Sequence, residues 1–135
     1  TRLEDLPQPE GTHGTVVVVD DDPMAREIIT RFLHREGFDV VTASNGQEAL
    51  NTIANVKPVA VTLDVEMPGM DGWSVLTKLK AHPKLAEIPV IMMTISDARG
   101  MGFALGAADF LSKPLCFAVR NDFWSQVRGR VAKPL

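Results

Sequence analysis

A single cysteine, Cys116, occurs in the chain, so no intrachain disulfide forms. With no Cys or His at metal-type spacing around it, the sequence holds no zinc motif and no dithiol redox motif. His13, His34 and His82 stand apart in a linker, a helix and a loop and are read as surface residues. No charge-free apolar run reaches the roughly 20 residues that a membrane span requires. The first residues lack the basic-then-apolar plan of a secretory signal, and a cytoplasmic location is expected. A net charge of −3 argues against a phosphate-backbone binder, so no nucleic-acid partner is expected for this chain. What remains is an ordinary globular composition, 45% hydrophobic and 23% charged, over 135 residues, which suits one domain with one core.

Residues 1–14 place Pro7, Pro9, Gly11 and Gly14 among polar residues and read as a flexible linker, native or left from expression. The domain is expected over 15–132. Val16 to Val19 form a β-branched run suited to a strand buried on both faces. The run stops at Asp20-Asp21-Asp22-Pro23, where Asp22 and Pro23 are a cap and a first helical residue. Met24, Ile28, Ile29, Phe32 and Leu33 follow at helical spacing, and Gly37 closes the helix.

The alternation then repeats. Strands are expected at 38–42, 59–63, 89–94 and 110–112. Helices are expected after a cap at Ser44 or Asn45, over 73–81, as a short weak helix over 100–107, and over about 117–131. Five β-α units imply an α/β fold: a flavodoxin-like, doubly wound, five-stranded parallel sheet, (βα)5, with strand order 2-1-3-4-5. Ligands of such sheets bind at the carboxyl ends of the strands. There the sequence sets Asp20 and Asp21 after strand one, Asp64 after strand three, Thr94 at the end of strand four and Lys113 after strand five.

Clustered carboxylates repel and call for a counter-ion. Mg²⁺ takes one or two carboxylates, several waters and a phosphoryl oxygen. With a lysine and a hydroxyl at the same rim, the set suits the spread charge of phosphoryl transfer. A haloacid dehalogenase-type hydrolase would need a second acid two residues after its nucleophile and then a small-residue loop; Glu66 stands at that spacing from Asp64, but Met67-Pro68 follows and breaks the pattern. A flavodoxin needs a Ser/Thr/Gly-rich phosphate loop where this chain has three aspartates.

At these residues the chain resembles the receiver domains of two-component response regulators and hybrid histidine kinases. The resemblance rests on Asp20-Asp21-Asp22-Pro23, Leu63-Asp64-Val65-Glu66-Met67-Pro68-Gly69-Met70-Asp71-Gly72, Thr94 and Lys113-Pro114. The stretch Met101–Ala107 looks closest to receivers attached to sensor kinases. The resemblance implies a phosphoacceptor at Asp64 and Mg²⁺ held by Asp20, Asp21, Asp64 and the backbone carbonyl of Glu66, with Asp21 favoured over Asp20 as a direct ligand. It implies contact of Thr94 and Lys113 with the phosphoryl group, and Thr94 and Phe110 as switch elements. It implies a signalling module rather than a turnover enzyme, partnered by a sensor histidine kinase or a histidine phosphotransfer protein, with a homodimer left open. Three positions depart from the common pattern: Ile95 narrows access, Phe110 replaces a frequent tyrosine, and Glu66 adds an acid beside the acceptor. The alternative is a receiver-fold protein-binding module that works without phosphorylation.

Overall fold

The computed structural model describes residues 14–94 and 106–112, with the backbone alone for Thr94 and residues 109–112. The elements run β1 (Thr15–Val19), α1 (Pro23–Arg35), β2 (Asp39–Ala43), α2 (Gly46–Val56), β3 (Ala60–Asp64), α3 (Gly72–Ala81), β4 (Val90–Thr94) and β5 (Asp109–Ser112). All strand pairings are parallel, and the sheet order is β2-β1-β3-β4-β5. This is the doubly wound order read from the sequence.

The valine run behaves as a strand covered on both faces. Val16 and Val18 pack with Ile29, Phe32 and Leu33 of α1, while Val17 and Val19 pack on the opposite face with Ala49, Ile53, Val75, Leu76 and Leu79 of α2 and α3. Each such side chain, fully buried, contributes roughly 1.5–3 kcal/mol of transfer free energy. The two layers clamp the sheet and fix where its strands end.

Caps set the helix starts. Asp22 accepts from the Met24 amide, with Pro23 in the first turn; Asn45, rather than Ser44, accepts from the Glu48 amide; and Asp71 accepts from the Ser74 amide. Gly37 ends the α1 turn with φ 93°, a left-handed conformation that favours glycine.

Several boundaries differ from the sequence reading. Phe38 precedes β2 and is buried, because its amide still bonds to Leu33 at the end of α1; the ladder opens at Asp39, whose amide reaches Gly14. β3 includes Asp64, which pairs in register with Met93. Pro89 stands outside β4, α3 begins one residue earlier at Gly72, and β5 begins at Asp109. The helix expected over 100–107 does not reach Gly106 and Ala107, since Gly106 turns at φ 104°; residues 100–105 lie outside the described part.

Met24 and Ile28 are 69% and 47% exposed. The buried stripe of α1 is Ile29, Phe32 and Leu33. Ile28 lies roughly 100° around the helix from Ile29 and Met24 roughly 140°, so Ile28 is at the edge of the stripe and Met24 beyond it. His34 and His82 are exposed. Residues 1–13 with His13, and the segment 113–135 with Cys116 and the expected last helix, lie outside the described residues.

Candidate functional site at the carboxyl rim

The register brings β1, β3, β4 and β5 to a common edge. Val19 pairs with Ala43 and Leu63, Asp64 with Met93, and Thr94 with Ser112. Asp20 is therefore the first residue beyond β1, and Asp64 is the last of β3. The backbone ladder continues past both, through Asp20 N to Ala43 O at 3.1 Å and Val65 N to Met93 O at 2.9 Å. These bonds hold the carboxylates on rigid strand ends rather than on a free loop.

Asp20 and Asp64 are each 1% exposed, and Asp21 is exposed. One carboxylate oxygen from each of the three lies within 4.8 Å of the others. The local bonds aim two of them. Asp20 Oδ1 accepts from the Asp22 amide at 2.9 Å, and Asp64 Oδ1 accepts from the Glu66 amide at 3.2 Å. Glu66 itself turns its side chain to solvent, while Val65 and Met67 on either side are buried.

The donor set fits a small hard cation. Three carboxylate groups offer only oxygen, and oxygens sharing one Mg²⁺ lie roughly 3–4 Å apart. Buried carboxylates this close repel each other, and a cation between them offsets that repulsion. Asp20, Asp21 and Asp64 can therefore accommodate a divalent ion with small adjustments.

The structure brings Asp20, Asp21 and Asp64 together and sets the backbone of Thr94 at the same edge. β5 runs to Ser112 at that edge, next in the chain to Lys113. Lys113, Pro114 and Ile95 lie outside the described residues, as do the side chains of Thr94 and Phe110.

Two residues outside the proposed site set support the rim. Gly72 bonds through its amide to Val65 O at 3.0 Å, and a Cβ added there would fall 2.3 Å from Asp64 O. Arg26 reaches back along α1 and donates from Nη1 to Asp20 O at 2.7 Å. The signal for Gly72 was its place directly after the capping Asp71. For Arg26 there was none, since an arginine in an amphipathic helix is ordinarily a solvated residue. Nearby, a Cβ on Gly46 would meet Met70 at 2.9 Å, so the start of α2 also braces the loop after β3.

Comparison with known proteins gives this arrangement a family. The family model of the response regulator receiver domain matches residues 16–119. Response regulator PleD of Caulobacter vibrioides is 42% identical over 103 residues, which are 74% of this chain and 23% of PleD. Transcriptional regulatory protein GltR of Pseudomonas aeruginosa is 36% identical over 127 residues, 85% of this chain and 52% of GltR. The chain thus spans about half or less of these relatives. Among solved structures, the signal receiver domain of a signal transduction histidine kinase from Syntrophus aciditrophicus superposes with a TM-score of 0.78 at 32% identity, covering 90% of this chain and 95% of that one. The chemotaxis protein CheY4 of Vibrio cholerae gives 0.77 at 27% identity, covering 84% and 97%. With an acidic rim on a 2-1-3-4-5 sheet and a family match over most of its length, this chain belongs to the response regulator receiver domains of two-component signalling.

Proposed function

We propose that this receiver domain, taken as residues 15–132, accepts a phosphoryl group on Asp64 in a Mg²⁺-dependent transfer from a phosphohistidine. The observation that carries the reading is the convergence of Asp20, Asp21 and Asp64 at one rim, two of them buried on strand ends. A carboxylate oxygen of Asp64 attacks phosphorus in line. The new O–P bond forms as the P–N bond to the donor imidazole breaks, and the imidazole nitrogen leaves with the electron pair. Asp20, Asp21, Asp64 and the Glu66 carbonyl would hold Mg²⁺, which when bound supplies positive charge to the phosphoryl oxygens.

Lys113 and Thr94 are assigned contacts to those oxygens, and Thr94 with Phe110 the conformational response. Ile95 is assigned control of access. The donor is a sensor histidine kinase or a histidine phosphotransfer protein; the likeness to a receiver of a signal transduction histidine kinase supports a hybrid-kinase setting. Among the described residues no helix is long and apolar enough to cross a membrane. A cytoplasmic site of action, where such kinases present phosphohistidine, is part of the proposal.

The test is intact mass after incubation with Mg²⁺ and acetyl phosphate. One phosphoryl group is expected on the wild type and none on Asp64→Asn. A label retained by Asp64→Asn sinks the assignment. Absence of both the adduct and beryllofluoride binding in the wild type would instead favour a receiver-fold binding module that works without phosphorylation.

A further inference from the structure

Arg26 sits in the first turns of α1, half-buried, on the flank of the stripe that packs against the sheet. Its Nη1 donates to the backbone carbonyl of Asp20 at 2.7 Å, six residues back in the chain. That carbonyl belongs to the peptide joining Asp20 to Asp21. Further ties of this loop include Asp20 N to Ala43 O, Asp22 N to Asp20 Oδ1, Met24 N to Asp22 Oδ1 and Arg26 N to Asp22 O. Asp21 carries the exposed carboxylate of the cluster, and the plane of the peptide before it sets where its side chain emerges.

The guanidinium charge is also felt by a second group. Glu48, at the start of α2, has its carboxyl held below the usual range first by the Ser44 amide, then by the Ser44 hydroxyl, and then by the Arg26 charge. Arg26 is thus bonded to the β1 rim and within electrostatic reach of the α2 entry. A planar guanidinium is well suited to such a place, because its fork is pre-organised and its charge strengthens the bond to a carbonyl. Two effects of this residue on a divalent ion oppose each other. Its positive charge repels the ion, and its hydrogen bond organises the donors.

We propose that Arg26 is a positioning residue for the divalent cation, locking the Asp20–Asp21 peptide so that the Asp21 carboxylate faces Asp64. The organising effect outweighs the charge repulsion. This inference rests on reading Asp20, Asp21 and Asp64 as the cation site.

The opposing signs make it testable. Mn²⁺ is titrated into the full chain and the free ion is followed by its electron paramagnetic resonance signal, for wild type, Arg26→Met, Arg26→Lys and Asp21→Asn. Groups that orient metal ligands typically change affinity by tenfold or more, so Arg26→Met is expected to bind Mn²⁺ roughly tenfold more weakly. Arg26→Lys, which keeps the charge but not the fork, falls between. Faster amide exchange at Asp21 and Asp22 accompanies the loss in Arg26→Met. Equal or tighter Mn²⁺ binding by Arg26→Met overturns the proposal, and tighter binding would show that its charge alone matters. If Arg26→Met does not fold, Arg26→Lys decides, and wild-type affinity there overturns it. A wild type that binds Mn²⁺ no better than Asp21→Asn removes the cation-site reading itself and the proposal with it.

Discussion

Gly72 rests on the backbone of Asp64: a side-chain carbon at position 72 would lie 2.3 Å from the Asp64 carbonyl oxygen and 2.8 Å from Val65 Cα. Both obstructing atoms are main-chain atoms of a strand end locked into the sheet, so neither can swing away. The first residue of α3 is thereby packed against the backbone of the proposed phosphoacceptor.

Gly72→Ala should therefore cost at least the roughly 1–3 kcal/mol typical of overpacking and weaken Asp64 phosphorylation as well. Gly69→Ala is the matched control. Gly69 has φ 79° but nothing within 4 Å of an added carbon, so the substitution should cost only the roughly 1–2 kcal/mol of a left-handed residue. Urea unfolding and intact mass after acetyl phosphate measure both. Equal labelling of Gly72→Ala and Gly69→Ala would show that the Gly72 contact does not position Asp64.

The three-carboxylate rim predicts a metal-dependent stability. A ligand that binds only the native state adds RT ln(1 + [L]/Kd), about 2.7 kcal/mol at a hundred times Kd. Mg²⁺ should raise the urea midpoint of the wild type accordingly. Asp20→Asn keeps an oxygen to accept from the Asp22 amide, so the loop geometry survives while the charge is lost. Its Mg²⁺ increment should fall to less than half of the wild-type value. An undiminished increment would place the ion elsewhere.

Much of this rim was legible before any coordinates. Val16 to Val19 announce a two-face-buried strand, and the aspartates that follow must then lie at its carboxyl end. The topology carries Asp64 to the same edge, since β1 and β3 are neighbours. The supports were less legible, Gly72 being marked only by its place after the capping Asp71 and Arg26 by nothing. Gly72 looks like a turn glycine until the main chain of Asp64 is seen beneath it, and Arg26 looks like a solvated helix residue until its reach to the Asp20 carbonyl is seen. Periodicity also overstated the apolar face of α1. Met24 and Ile28 fit an apolar pattern, yet only Ile29, Phe32 and Leu33 are buried. Patterns within one element are local information, whereas these contacts arise between elements.

Glu48 should shape the acid limb of stability. Its Oε1 accepts from the Ser44 amide at 2.6 Å and the Ser44 hydroxyl at 2.9 Å, and its carboxyl is held below the usual range. The unfolded chain then takes up this proton at a higher pH than the folded one does. The charged form contributes stability above the unfolded value of 4.5, and that contribution is lost as pH falls through the folded value. Glu48→Gln should thus be less stable than wild type near neutral pH, with the gap closing as pH falls below the unfolded value of 4.5 and through the lower folded value. Denaturant midpoints across that range measure it, and a gap of constant size would refute the linkage.

Thr62 offers the opposite kind of change. It is fully buried, two residues before Asp64 on β3, and its Oγ1 has no hydrogen-bond partner among the described residues. Its strand neighbours in register are Val18 and Ile91, both fully buried and apolar. A buried hydroxyl without a partner carries a desolvation penalty of about 1–3 kcal/mol, while a valine of nearly the same shape carries none. Thr62→Val should therefore gain about 1 kcal/mol, the lower end of that range, since the added methyl must fit a packed layer. Urea unfolding reads the gain, and phosphorylation of Asp64 should be unchanged because the strand register stays the same. A loss of stability would mean that the hydroxyl has a partner beyond the described residues, and a loss of labelling would make Thr62 part of the support for Asp64.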